Sequence, residues 1–296
     1  MSDGILFTCQ WGLDMRLSVI TDEISMDLRQ ALSVMQEYDC SGAEIRSLWG
    51  TNIGELTDEQ VDKALGLLDK AGMEVCCLAS PLFKCELDNT TAGQVGNVHQ
   101  AGERTAAQQM DLLKLLHKRA RQFGTRNIRT FAYWRRGELT PKIEEAIEDG
   151  MSDAIKYAED NELMLLMENE HDCYLGTGAE TARFLSRINS PALRACWDPG
   201  NGFAAGEQPF PEGYNAIRNF VEHVHVKDAE LLASGKHRFV VCGEGEVDYV
   251  GHLAALKADG YDGYLSIETH YKPFGGTAEQ GTRLSLQGLK KLLSEC

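Results

Sequence analysis

The chain has 296 residues, 43% hydrophobic and 25% charged, a make-up that fits a folded globular protein with a large buried core and excludes a fibrous or disordered one. Its formal net charge of −16 repels a phosphate backbone, and no run of Lys and Arg is long enough to override that. Nucleic acid is therefore not an expected partner, and an anionic membrane surface is disfavoured.

The N-terminus, Met1-Ser2-Asp3-Gly4, lacks a basic region, and Asp14 and Arg16 close the short apolar stretch behind it, so a signal peptide is not expected. The longest apolar runs, such as Leu163 to Met167, fall far below the roughly 20 residues a membrane-spanning helix needs. Residues 1–16 read as an N-terminal extension and 17–296 as one domain. Nine cysteines, at 9, 40, 76, 77, 85, 173, 196, 242 and 296, form no Cys-x-x-Cys pair, and several lie in apolar strand-like runs. Cys76 and Cys77 are expected on opposite faces of a strand, which argues against zinc-ribbon or dithiol chemistry. Reduced, buried thiols in a cytoplasmic protein are the expectation.

From Arg16 onward, short β-type runs alternate with longer helical patterns. The runs are Leu17 to Ile20, Ala43 to Arg46, Glu74 to Ala79, Asn127 to Ala132, Leu163 to Glu168, Arg194 to Asp198, His223 to Lys227 and Gly263 to Glu268. After the first, Leu28, Ala31, Leu32, Met35 and Tyr38 recur at helical spacing, so one apolar stripe faces the sheet. Thr57-x-x-Gln60 is a capping box opening a helix that Gly72 is placed to end. The spacing then predicts a long helix from about Gly96 to Phe123, carrying Met110, Leu113, Leu116 and Ala120 on one side. Thr140-Pro141 supplies a cap and a first-turn proline, and Thr177-x-x-Glu180 a second capping box.

Eight such units imply an α/β fold, a single-domain (β/α)8 TIM barrel. An open doubly wound sheet usually carries a Gly-rich turn after its first strand, which Ile20-Thr21-Asp22-Glu23 is not. Gly243-Glu244-Gly245-Glu246 follows a long loop, not a strand, so it is not expected to bind a nucleotide.

In a parallel barrel the reactive groups stand at the C-terminal ends of the strands. Strand five ends in Glu168, strand six in Asp198 and strand eight in Glu268, while strand seven holds His225. An unpaired carboxylate facing a barrel interior costs several kcal/mol, and a cation removes that penalty. Three carboxylates and one imidazole suit one divalent metal ion (Mn²⁺, Mg²⁺, Co²⁺ or Zn²⁺), the oxygen-rich set favouring harder ions. The competing reading is a set of salt-bridged strand ends, for which these strands provide few matching cations.

Glu168-Asn169, Asp198-Pro199-Gly200-Asn201, His225-Val226-Lys227-Asp228 and Ile267-Glu268 resemble the metal-site segments of the xylose isomerase-like superfamily of sugar isomerases and epimerases. The resemblance runs from about Leu17 to Leu293 and takes in Gly42-Ala43-Glu44-Ile45 and Gly243-Glu244-Gly245-Glu246-Val247-Asp248. It implies that Glu168 and Glu268 bind metal and also act as the catalytic acid/base pair, with Asp198 and His225 as pure ligands. It further implies a small carbohydrate substrate rearranged through an enediolate. Asn201 departs from the pattern, since many members carry His there. A carbon–oxygen or carbon–carbon lyase (a dehydratase or keto-glycoside-cleaving enzyme) with the same metal site, and a non-catalytic sugar-binding barrel, stay open as alternatives. A homo-oligomer is compatible with the sequence.

Further substrate-binding candidates are His171, Lys227, Arg238 and Arg46. His171 either contacts substrate or sits in a loop; Lys227 either points into the site or pairs with Asp228 or Glu230. His237 and Arg238 share a long loop before Gly243. Trp49, Trp134 and Trp197 read as packing, and Phe274-Gly275-Gly276-Thr277 as a turn more readily than a phosphate cradle.

Overall fold

The computed structural model describes residues 15–88 and 99–295. Eight strands close into a parallel barrel, each hydrogen-bonded to its neighbours in chain order. They are β1 (Arg16–Ile20), β2 (Gly42–Ile45), β3 (Glu74–Leu82), β4 (Asn127–Thr130), β5 (Met164–Glu168), β6 (Leu193–Trp197), β7 (Val221–Val226) and β8 (Tyr264–Ile267). Closure runs through β8 and β1, with Ser266 beside Ser18. All eight expected runs are barrel strands. The first opens at Arg16, and residues 1–14, with Cys9, lie outside the described residues.

Helices cover each strand for the reasons legible in the chain. Thr57 and Gln60 cap the helix Asp58–Ala71 reciprocally, and Gly72 ends it in the left-handed conformation. Thr140 accepts from the Ile143 N–H ahead of Pro141, and Thr177 pairs with Glu180. One helix starts later than expected: Gln109–Phe123 replaces the pattern beginning near Gly96. Residues 96–98 lie outside the described residues. The actual start is marked by Thr105, whose N–H donates to the Gln108 side-chain oxygen Oε1 in a capping box across a single 3-10 turn.

Strand alternation sorts side chains between two cores. Leu165, Met167 and Ile267 face the helices, while Met164, Leu166, Cys196 and Tyr264 fill the lumen. Cys76 and Cys77 break the rule, since both belong to the lumen cluster. The β2–β3 register shifts between Ala43 and Glu44, pairing Ala43 with Val75 and Glu44 with Cys77, so Cys76 is the extra residue of a bulge. The described cysteines, 40, 76, 77, 85, 173, 196 and 242, are buried and free. Among the described residues no helix is long and apolar enough to cross a membrane.

Candidate active site

The upper lumen layer is charged. Glu168, Asp198, His225 and Glu268 each offer a ligand atom, and those atoms lie within 4.8 Å of one another. All four are buried, at most 2% exposed. Such a group is compatible with one ion's coordination sphere.

Each side chain is set by local structure. Glu168 ends β5, and the next residue, Asn169, clamps the adjacent strand: its amide donates to the Asp198 carbonyl and its oxygen accepts from the Asp198 N–H. Asp198 caps the helix Pro199–Ala204, Oδ1 accepting from the Asn201 N–H at 2.9 Å. That leaves Oδ2 free to ligate. Gly200 is required here, because a Cβ would stand 2.1 Å from the Lys227 carbonyl oxygen. Tyr249 Oη in turn accepts from the Lys227 N–H and donates to the Lys227 carbonyl, fixing the residue that carries the ammonium.

Cations surround the carboxylates more fully than expected. Arg129, in the middle of β4, reaches Glu168 Oε2 at 3.0 Å and Glu268 Oε1 at 3.4 Å. Arg46 joins Glu268 to Asp22 and Glu23 from beyond β2. Lys227 Nζ lies 2.7 Å from Glu268 Oε2 and 3.0 Å from Asp198 Oδ2, and so points into the site instead of pairing with Asp228 or Glu230. The expectation that these strands supply few cations is therefore corrected: lumen-facing Arg and Lys residues interleave with the acids.

Two atoms nevertheless ask for a further positive charge. His225 Nδ1 faces Glu168 Oε1 at 3.3 Å and Glu268 Oε2 at 3.6 Å, where a bare lone pair would be repelled unless a proton or metal ion lay between. Asp198 Oδ2 is buried without a hydrogen bond, although the Lys227 ammonium is near. Titration follows the same logic. Burial pushes the Asp198 carboxyl up to about 6 against the pull of Lys227. Burial would raise Glu168 too, but Arg129 and His225 hold it below the usual carboxylate range. The donor set fits a divalent cation.

The remaining candidates divide. His171 is at the mouth, Nδ1 2.9 Å from Glu170 Oε1 and 3.1 Å from Asn201 Oδ1. Asn201 bridges inward, donating to Glu168 Oε1 at 3.0 Å and lying 3.3 Å from Lys227 Nζ. Arg238 is not brought to the site: its side chain is 62% exposed and pairs with Glu230. The long loop is in fact an antiparallel hairpin, Asp228–Leu231 with His237–Val240, and alternation turns Arg238 away while presenting His237 and Phe239 to the mouth. Phe239 packs at 5.2–6.0 Å against His237, His270 and His171, with Lys227 Nζ 5.3 Å from its ring.

The loop Gly243–Val247 wraps the Asp228 carboxylate, which accepts from the N–H groups of Gly243, Gly245 and Val247, leaving no nucleotide cradle. Thr277 caps the helix Ala278–Glu295 with Gln280, behind a turn at Gly275. Trp197 is buried against His252, Trp49 stacks on Lys63, and Trp134 packs in a cluster with Phe131 and Cys173.

Arg129 and Phe239 are absent from the sequence reading, and Glu44 enters it only within the Gly42-Ala43-Glu44-Ile45 resemblance, without a role. Arg129 and Glu44 are charged residues within strands, Glu44 between apolar neighbours and Arg129 between Ile128 and Thr130, one place short of the strand ends that marked the carboxylates.

A family model described as the xylose isomerase-like TIM barrel matches residues 32–292. An inosose dehydratase of Lacticaseibacillus casei is 25% identical over 118 residues, which span 34% of this chain and only 39% of that protein. Among solved structures, a D-allulose 3-epimerase from Methylomonas sp. in complex with D-allulose superposes with TM-score 0.71 at 15% identity, over 95% of this chain and 96% of its own. The IolI protein with a bound zinc atom gives TM-score 0.74 at 17% identity, over 95% and 99%. At those identities the structural likeness concerns the fold.

Proposed function

The chain belongs to the xylose isomerase-like TIM barrel family, and from that membership we propose that it is a metal-dependent isomerase or epimerase of a small keto-sugar or polyol ketone. The observation that carries this reading is the convergence of Glu168 and Glu268 on one ion-sized position, beside His225 and Asp198.

A divalent ion held by these four side chains would supply Lewis-acid polarisation of a carbonyl and its neighbouring hydroxyl, easing loss of the C–H proton between them. The chain's own residues do the proton work. Arg129 and His225 keep Glu168 ionised, Lys227 and His270 do the same for Glu268, and an ionised carboxylate can take that proton. Glu168 and Glu268 then serve as the pair that removes the proton and returns it, from the other face in an epimerase or to the adjacent carbon in an isomerase. Lys227 and His171 donate to substrate oxygens at the mouth, and Phe239 closes one side. The substrate is a small carbohydrate.

A dehydratase is the second reading, favoured by the matched inosose dehydratase segment. It needs the same proton abstraction followed by loss of a β-hydroxyl.

Incubation of the metal-loaded protein in D₂O with a panel of ketoses, aldoses and cyclic polyol ketones tests both. Mass conserved with deuterium at one carbon supports isomerisation or epimerisation; loss of water selects the dehydratase. Absence of both reactions, with metal bound and the panel exhausted, would leave a binding-only barrel. Glu268→Gln should abolish either turnover, about 1,000-fold or more, while the fold persists.

A further inference from the structure

We propose that Glu44 is the positioning residue that makes His225 a metal ligand, holding the imidazole from inside the barrel with its Nδ1 lone pair aimed at the ion. This rests on the metal centre proposed above.

Glu44 lies in the middle of β2 and is fully buried. Its carboxylate lies 3.1 and 3.2 Å from His225 Nε2, 2.9 Å from His223 Nε2 and 2.6 Å from Ser266 Oγ. An ionised carboxylate only accepts, so all three partners must donate. His225 therefore carries its proton on Nε2, and the nitrogen left for coordination is Nδ1, the one facing Glu168 and Glu268.

The pairing is not a local accident. The Cys76 bulge sets the β2–β3 register at Glu44, and Ser266, paired with Ser18 across the closure between β1 and β8, donates its hydroxyl to the carboxylate. His223, two residues before His225 on β7, faces the lumen with it and bonds the same carboxylate. Glu44 is thus held on three sides and cannot rotate away. Its negative charge also strengthens His225 as a donor to a cation, the effect that outer carboxylates have on metal-bound imidazoles.

Glu44, His223 and His225 could also hold an ion themselves, since their ligand atoms lie within 4.8 Å of one another. The hydrogen bonds above already use those atoms, so the proposal assigns them no ion.

The test is titration of the metal-free full chain with Co²⁺, following heat and the visible cobalt absorption bands. Wild type should bind one equivalent. Glu44→Gln offers an amide N–H to the ring, inverting the donor pattern, and should lose about 10- to 100-fold in Co²⁺ affinity with shifted bands. Ser266→Ala, which keeps the charge but frees one Glu44 oxygen, should show a smaller loss in the same direction and guards against misfolding of the first variant. A purely structural role would lower thermal stability without moving affinity or bands. Unchanged affinity and bands in the variants that fold overturn the proposal while leaving the metal centre standing. So do two equivalents in wild type of which Glu44→Gln removes one. No Co²⁺ binding by wild type overturns the metal centre, and this inference with it.

Discussion

Arg129 concentrates the electrostatics of the site in one side chain. Besides Glu168 and Glu268, it donates to the backbone carbonyls of Ala79 and Ser80, so each of its three nitrogens has a partner. Arg129→Met preserves volume and removes the charge, leaving two buried carboxylates without their shared partner. The metal-free variant should lose about 3–5 kcal/mol of stability, and saturating divalent metal should restore part of it. Urea unfolding with and without metal checks this; equal losses in both conditions would show that Arg129 does not neutralise the ion-binding carboxylates. His252 makes a second prediction at this scale. Its Nε2 accepts from the Trp197 indole N–H at 2.8 Å, its Nδ1 is buried without a partner, and burial pushes its pKa down to about 3. The unfolded chain takes up this proton near pH 6.5 and the folded chain does not, so this contribution to stability is present above pH 6.5 and lost as pH falls towards 3. From pH 6.5 to 5 the loss is about 2 kcal/mol. His252→Gln, which still offers an acceptor to Trp197, should flatten that part of the stability–pH curve.

At the scale of elements, the hairpin after β7 decides which side chains meet the substrate. Phe239→Ala and His237→Ala should raise KM several-fold, whereas Arg238→Ala, altering an exposed surface pair, should change neither kcat nor KM appreciably. Steady-state kinetics on the accepted substrate makes the comparison, and a large Arg238 effect would reverse the assignment. The hairpin's anchor is the Asp228 nest, where a Cβ on Gly245 would stand 2.2 Å from Asp228 Oδ1. Much of this architecture is legible in the sequence. The strands announce themselves as apolar runs between capped helices, and Glu168, Asp198 and Glu268 as charges at their ends. What is not legible has identifiable physical causes. Arg238 reads as a site candidate because its region reads as loop, and without a strand no parity separates it from Phe239. Cys76 and Cys77 share a face because Cys76 is the extra residue of a bulge, invisible to a period-two rule. Arg129 and Glu44 sit deeper in their strands than the carboxylates, where a charge in the sequence does not by itself tell the lumen face from the helix face.

For the molecule as a whole, the barrel mouth is an electrostatic compromise that a bound ion should resolve. Glu44, Glu168, Asp198 and Glu268 are all buried, while of the cations that contact them Arg46 is shared with Asp22 and Glu23 outside the group. An ion that binds the folded chain and not the unfolded one stabilises it by mass action, about 2.7 kcal/mol at a hundred times Kd. For a chain of this size that corresponds to a rise in Tm of about 4 °C. The increment should depend on the site, not on general screening of the −16 net charge. Raising NaCl should therefore not reproduce it, and Asp198→Asn should remove most of it. Differential scanning calorimetry of the metal-stripped protein, titrated in parallel with Mn²⁺ and with NaCl, separates the two. Equal shifts from both salts would mean that the carboxylates are satisfied by Arg46, Arg129 and Lys227 alone, and that the cluster is a structural ion-pair network and not a metal centre.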